Sequence, residues 1–110
     1  MSCNIHILAL AVLELQAIED WYIQKFDKHT AAKVSSSILM TIGRLSDHPD
    51  SGSFTSDPLL NELGYRMLII KRHIAIYRCI DDDIYVYMIA DSKTEYTKLL
   101  LREIGEIDEA

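Results

Sequence analysis

Proline and glycine are scarce in this chain, two and four residues in 110, and no linker, low-complexity tract or internal repeat divides it. Cysteine is scarcer than any metal or disulfide framework needs: Cys3 and Cys79 stand alone, with no metal-ligand spacing around either. They read as two small buried or half-buried thiols in a reducing compartment, with a structural disulfide as the other reading. His6, His29, His48 and His73 are scattered without ligand spacing, which implies no metal site. A glycine-rich phosphate loop and a serine in a nucleophile elbow are both missing, so nucleotide-loop and hydrolase chemistry are excluded. The one apolar run, Ile5 to Leu15, is interrupted by His6 and Glu14, lacks a basic leader and is too short to span a bilayer. A soluble cytoplasmic protein with no cofactor is expected. Positive charge is also in deficit: the net charge of −6 argues against a surface built mainly to hold nucleic acid.

What is present is ordinary globular material, 49% hydrophobic and 25% charged, in one domain over residues 1–110. Such a chain buries roughly 60 to 70% of its unfolded surface, enough for one modest core. Asn4 to Leu8 reads as a short strand. Ala11, Leu15, Ile18 and Tyr22 then recur at helical spacing and predict an amphipathic helix ending near Phe26. Thr30 is the expected N-cap of a second helix with Ala31, Val34, Ile38, Ile42 and Leu45 on its apolar stripe. The short link between them folds the two helices back as a hairpin. Asp47 to Pro58 is a loop, with a short helical turn from Leu59 to Leu63.

Three strands follow, Tyr65 to Lys71, His73 to Cys79 and Ile84 to Ala90, joined by turns too short for anything but an antiparallel meander. Arg66, Leu68 and Ile70 share one face of the first; Ile74, Ile76 and Arg78 share one face of the second. The triple aspartate at 81–83 reads as a solvated turn, not a calcium loop, and a helix is expected from about Lys93. Seven of the eleven lysines and arginines fall between residues 66 and 102, so the meander is expected to gather Arg66, Arg78 and Lys93 into one cationic region. The last eight residues carry four acids and no base.

The order of motifs resembles the RelE/ParE superfamily, the toxins of bacterial type II toxin-antitoxin pairs. The resemblance is carried by AxxELxxI at Ala11 to Ile18, Trp21 and Tyr22, Thr30 to Ala32, Ile42 to Leu45, Pro49 and Gly52, GYR at 64–66, IYR at 76–78, and a last strand ahead of Glu95 and Tyr96. It covers nearly the whole chain. It implies an α+β fold, an N-terminal helix hairpin packed on a small twisted antiparallel sheet with a C-terminal helix, and a cognate antitoxin as partner.

It also implies one of two targets. RelE-like members cut mRNA on the ribosome, and ParE-like members bind DNA gyrase without cutting RNA. In metal-free RNA cleavage the 2′-hydroxyl attacks the neighbouring phosphate, which calls for a proton acceptor, cations for the phosphorane charge and an acid for the leaving oxygen. On the first reading, a ribosome-dependent endoribonuclease, Arg66 stabilises the phosphate with Lys93, Tyr96 assists the leaving group, and Lys71, Arg72 and Arg78 hold the RNA. Arg66 has a plainer reading too, a structural arginine tying the sheet to the 47–58 loop. Where many members carry a histidine and an arginine at the end of the last strand, this chain has Asp91 and Lys93. A carboxylate is a poor proton shuttle near neutral pH and repels phosphate. The alternatives are a gyrase-binding toxin without chemistry of its own, and a non-toxic member that only binds antitoxin.

Overall fold

Ala, Leu, Glu and Gln dominate the first helix, so propensity and packing agree there. A computed structural model describes residues 2–92, in the order β1 (Asn4–Ile7), α1 (Ala9–Lys25), α2 (Lys28–Gly43), a 3₁₀ turn (Arg44–Ser46), α3 (Pro58–Glu62), β2 (Tyr65–Ile70), β3 (His73–Ile80) and β4 (Asp83–Asp91). The expected C-terminal helix from about Lys93 lies outside the described residues. The second helix starts earlier than the sequence suggested. Its cap is Asp27, whose Oδ1 accepts the Thr30 amide at 2.6 Å, and that bond holds the Asp27 carboxyl below the usual carboxylate range. Thr30 therefore sits inside the first turn, because the extended backbone of Asp27 already supplies the capping oxygen.

The sheet has the order β1-β4-β3-β2. The last three strands form the antiparallel meander, while β1 joins parallel to β4 through Asn4↔Asp83 to Ile7↔Val86, so the sheet as a whole is mixed. Asp83 belongs to β4 and only Asp81 and Asp82 make the turn.

The helix hairpin covers one face. There Leu68, Ile70, Ala75, Tyr77, Ile84, Val86 and Ile89 pack with Ala11, Leu15, Ile38, Ile42 and Leu45, so the apolar stripes of both helices meet the sheet. Even-numbered Ile84 and Val86 share that face with odd-numbered Ile89 because the β3–β4 register slips by one residue: Ile76 pairs with Met88 but Tyr77 with Val86, leaving Tyr87 as a bulge. On the opposite face Tyr65, Ile74, Ile76, Met88 and Ala90 form a second buried cluster with Leu60 of α3.

Candidate functional site

Register settles where the strand cations go. Paired residues of an antiparallel ladder lie on the same face, and Arg66 pairs with Tyr77 while Tyr65 pairs with Arg78. Arg66 thus leaves the sheet on the helix-hairpin side and Arg78 on the other. The expected single cationic region containing both is not formed, since the register sets Arg66 opposite Tyr77 and alternation along β3 sends the adjacent Arg78 to the other face.

Arg66 is tied to the loop that precedes β2. Its Nη1 donates to the Gly52 carbonyl at 3.1 Å and its guanidinium lies 5.4 Å from the centre of the Phe54 ring. The loop is held in turn by Ser53, which exchanges two 2.8 Å backbone bonds with Met67 on the outer edge of β2. Tyr77 completes the latch: its hydroxyl accepts from the Gly52 amide at 3.0 Å and donates to the Pro49 carbonyl at 2.8 Å. Burial pushes the Tyr77 hydroxyl above its ordinary pKa, against the smaller opposing pull of the Gly52 amide and of Arg66. These contacts are those of the plainer reading of Arg66.

Arg78 is stacked. Its guanidinium sits 5.2 Å from the Tyr65 ring and 5.7 Å from the Tyr87 ring, and its buried Nε has no hydrogen-bond partner among the described residues. Gly64, at φ +93°, runs beneath it, and a Cβ there would meet Arg78 Cδ at 3.5 Å. Burial raises the Tyr65 hydroxyl, with the Arg78 charge pulling the other way.

Lys71 and Arg72 form the two-residue turn between β2 and β3 and are exposed. They lie at the far end of β2 from Arg66, roughly 16 Å away at the rise of an extended strand. Lys93 and Tyr96 lie outside the described residues. Asp91 pairs in register with His73, and the next amide, Ser92, donates to the Arg72 carbonyl at 2.8 Å. The expected site cations that are described, Arg66, Arg78 and the Lys71–Arg72 pair, thus occupy three separate settings.

Near Lys71 and Arg72 the structure brings together side chains that sequence reasoning left as packing or surface. Tyr22 of α1, Lys33 of α2 and His73 of β3 border the same cavity as the turn. His73 is buried, and burial holds its pKa below the ordinary histidine value, with Asp91 opposing and Arg72 reinforcing the shift. The nearest signal was the 3.6-residue period placing Tyr22 on the packed face of its helix. Elsewhere Cys3 and Cys79 are free thiols, half-buried and exposed; burial raises the Cys79 thiol, with the neighbouring Cys3 adding to it. Among the described residues no three His, Cys, Asp or Glu side chains gather to hold a metal, and no helix is long and apolar enough to cross a membrane.

Comparison with known proteins adds a family to this geometry. A family model described as ParE toxin of type II toxin-antitoxin system, parDE, matches residues 5–96. A search of curated proteins returns no match. Among solved structures, the chromosomal ParDE toxin-antitoxin system from P. aeruginosa superposes with a TM-score of 0.70 at 20% identity, covering 82% of this chain and 96% of that chain. A mutant of the E. coli toxin RelE in the free state gives 0.64 at 11% identity, covering 93% and 98%. The toxin-antitoxin complex RelBE2 from Mycobacterium tuberculosis gives 0.56 at 16% identity, covering 83% and 99%. At these identities the structural likeness speaks for the fold.

Proposed function

Since this chain belongs to the ParE toxin family of type II toxin-antitoxin systems, we propose that it arrests growth by binding DNA gyrase in the cytoplasm, without cutting RNA, until its cognate antitoxin releases or holds it. The engagement of Arg66 with its own loop carries this reading. Stabilising a phosphorane requires a donor aimed at the phosphate in advance, and Arg66 already donates to the Gly52 carbonyl, while Arg78, expected to hold RNA beside it, leaves the opposite face of the hairpin. Asp91, at the place where the resemblance expects a histidine, adds to it, because an ionised carboxylate repels the phosphate and holds no proton to give. A binding toxin needs surface complementarity and no acid-base pair, so neither feature counts against it.

The experiment is induction of the protein in cells without antitoxin, with chromosome and transcript integrity read side by side. Growth arrest with DNA breaks and filamentation while mRNA stays whole is the expected result. Cuts in ribosome-bound mRNA that vanish in Arg66→Ala would restore the endoribonuclease reading, with Lys93 and Tyr96 as the remaining partners. Normal growth would leave a member that only binds antitoxin.

A further inference from the structure

One row of side chains crosses the whole sheet on the face away from the helix hairpin. His6 stands opposite Tyr85, Tyr85 opposite Arg78 and Arg78 opposite Tyr65, one member from each of the four strands. The His6 and Tyr85 rings stack at 5.0 Å. The bulge in β4 adds Tyr87, which meets the Tyr65 ring edge-on at 5.1 Å, and both rings lie against the Arg78 guanidinium. At one end of the row His6 already has a carboxylate, Asp83 at 2.9 Å. Arg78 has none: in a chain with 17 acidic residues against 11 lysines and arginines, no described carboxylate or carbonyl lies within hydrogen-bonding distance of it. Its Nε is buried, so the donors left for a partner are the two terminal nitrogens, whose plane the aromatic contacts hold. The surface beside it is apolar. Ile80, two residues farther along β3 on the same face, is 41% exposed, and Leu63, next to the glycine that runs beneath Arg78, is 43% exposed.

We propose that this row is the surface by which the toxin holds gyrase: the Arg78 fork closes on one carboxylate of a gyrase loop, and apolar side chains beside that carboxylate cover Leu63 and Ile80. The proposal rests on the gyrase reading above and adds its contact surface. An arginine among tyrosines at the centre of an apolar-rimmed patch is the composition that carries binding energy in protein interfaces, and a fork already fixed by two rings loses little freedom when it docks. A protein loop is favoured over the DNA that gyrase carries. Affinity for nucleic acid grows with the number of cations set against phosphates, and this row holds one permanent cation at the same end of the sheet as Asp81, Asp82 and Asp83. A single carboxylate needs only the fork.

The test uses the full chain, purified DNA gyrase and the cognate antitoxin, with affinity for each partner measured by titration and gyrase inhibition read as loss of plasmid supercoiling. The variants are Arg78→Leu, Arg78→Lys, which keeps the charge without the fork, and Arg44→Gln, a charge removed from the 3₁₀ turn outside the row. Thermal melts report that each is folded; should Arg78→Leu not fold, Arg78→Lys carries the test. Expected is a loss of gyrase affinity of about tenfold or more in both Arg78 variants, with antitoxin affinity unchanged. Arg44→Gln should match the wild type in both titrations. Unchanged gyrase affinity in a folded Arg78 variant overturns the proposal. So does an equal loss of affinity for antitoxin, because the row is then not particular to gyrase, and so does an equal loss for a short DNA duplex without gyrase, because the row then binds nucleic acid. A wild type that neither binds nor inhibits gyrase removes the gyrase reading and this proposal together, whereas folded Arg78 variants that inhibit gyrase as strongly as the wild type remove this proposal alone.

Discussion

The hydroxyl of Tyr77 fills the space that a side chain on Gly52 would need. An added Cβ at Gly52 would lie 2.5 Å from Tyr77 Oη, while the Gly52 amide donates to that oxygen at 3.0 Å. One buried hydroxyl therefore fixes the path of the 47–58 loop and, through the Gly52 carbonyl, the direction of Arg66. Tyr77→Phe leaves the Gly52 amide and the Pro49 carbonyl without their partner and is expected to cost about 1 to 3 kcal/mol in denaturant unfolding. The loop should loosen with it, seen as faster amide exchange at Ser53 and Met67. Gly52→Ala should destabilise by a similar amount, about 1 to 3 kcal/mol, through overpacking. Undisturbed exchange in Tyr77→Phe would show that the Ser53–Met67 bridge alone holds the loop.

A helix side chain completes the sheet on its other side. β1 ends at Ile7, opposite Val86, and the amide of Ile89 farther along β4 donates to Glu14 Oε1 of α1 at 3.0 Å. Ile89 itself is 1% exposed, so without this acceptor its amide faces a dry interior. Glu14→Ala should lower stability by about 1 to 3 kcal/mol, whereas Glu14→Gln keeps a carbonyl oxygen in place and should recover most of the loss. Equal destabilisation by both variants would show that the negative charge matters more than the acceptor.

Helical spacing made the hairpin legible, because Ala11, Leu15, Ile38 and Ile42 recur at the period that meets a sheet and are the residues that do so. The meander was legible from its two-residue turns. Parallel pairing of β1 was not, since a four-residue strand of mixed burial carries no mark of the direction of a neighbour nearly eighty residues away in sequence. Neither was the face of each arginine relative to the other strand. Alternation fixes faces within β2 and within β3 separately, and the relation between them depends on the register that Lys71 and Arg72 impose. The Tyr77 latch was hidden for a different reason: nothing local distinguishes a strand tyrosine whose hydroxyl reaches a loop from one packed by its ring alone.

Stability should depend on His73 in the mildly acidic range. Burial holds its folded pKa below the unfolded value of about 6.5. Above that unfolded value the ring is neutral in both states and its contribution is fully present. As pH falls below it, the unfolded chain takes up a proton that the folded chain refuses, so stability is lost progressively until the folded pKa is passed. Asp91 opposes the shift and Arg72 strengthens it, so Asp91→Asn should deepen it. Urea midpoints measured between neutral pH and pH 5 should fall more steeply for the wild type than for His73→Gln; parallel profiles would show that the ring titrates alike in both states.

The β2–β3 turn holds a lysine where the backbone favours a smaller residue. With φ at +56°, Lys71 occupies the left-handed region, where asparagine is favoured several-fold over other non-glycine residues. Lys71→Asn should relieve strain and raise stability by about 0.5 to 1 kcal/mol, part of the left-handed penalty of a longer side chain. The register of β2 and β3 runs through this turn, so the gain should appear in denaturant midpoints without a change in the unfolding slope. An unchanged or lower midpoint would show that the turn holds the lysine without strain.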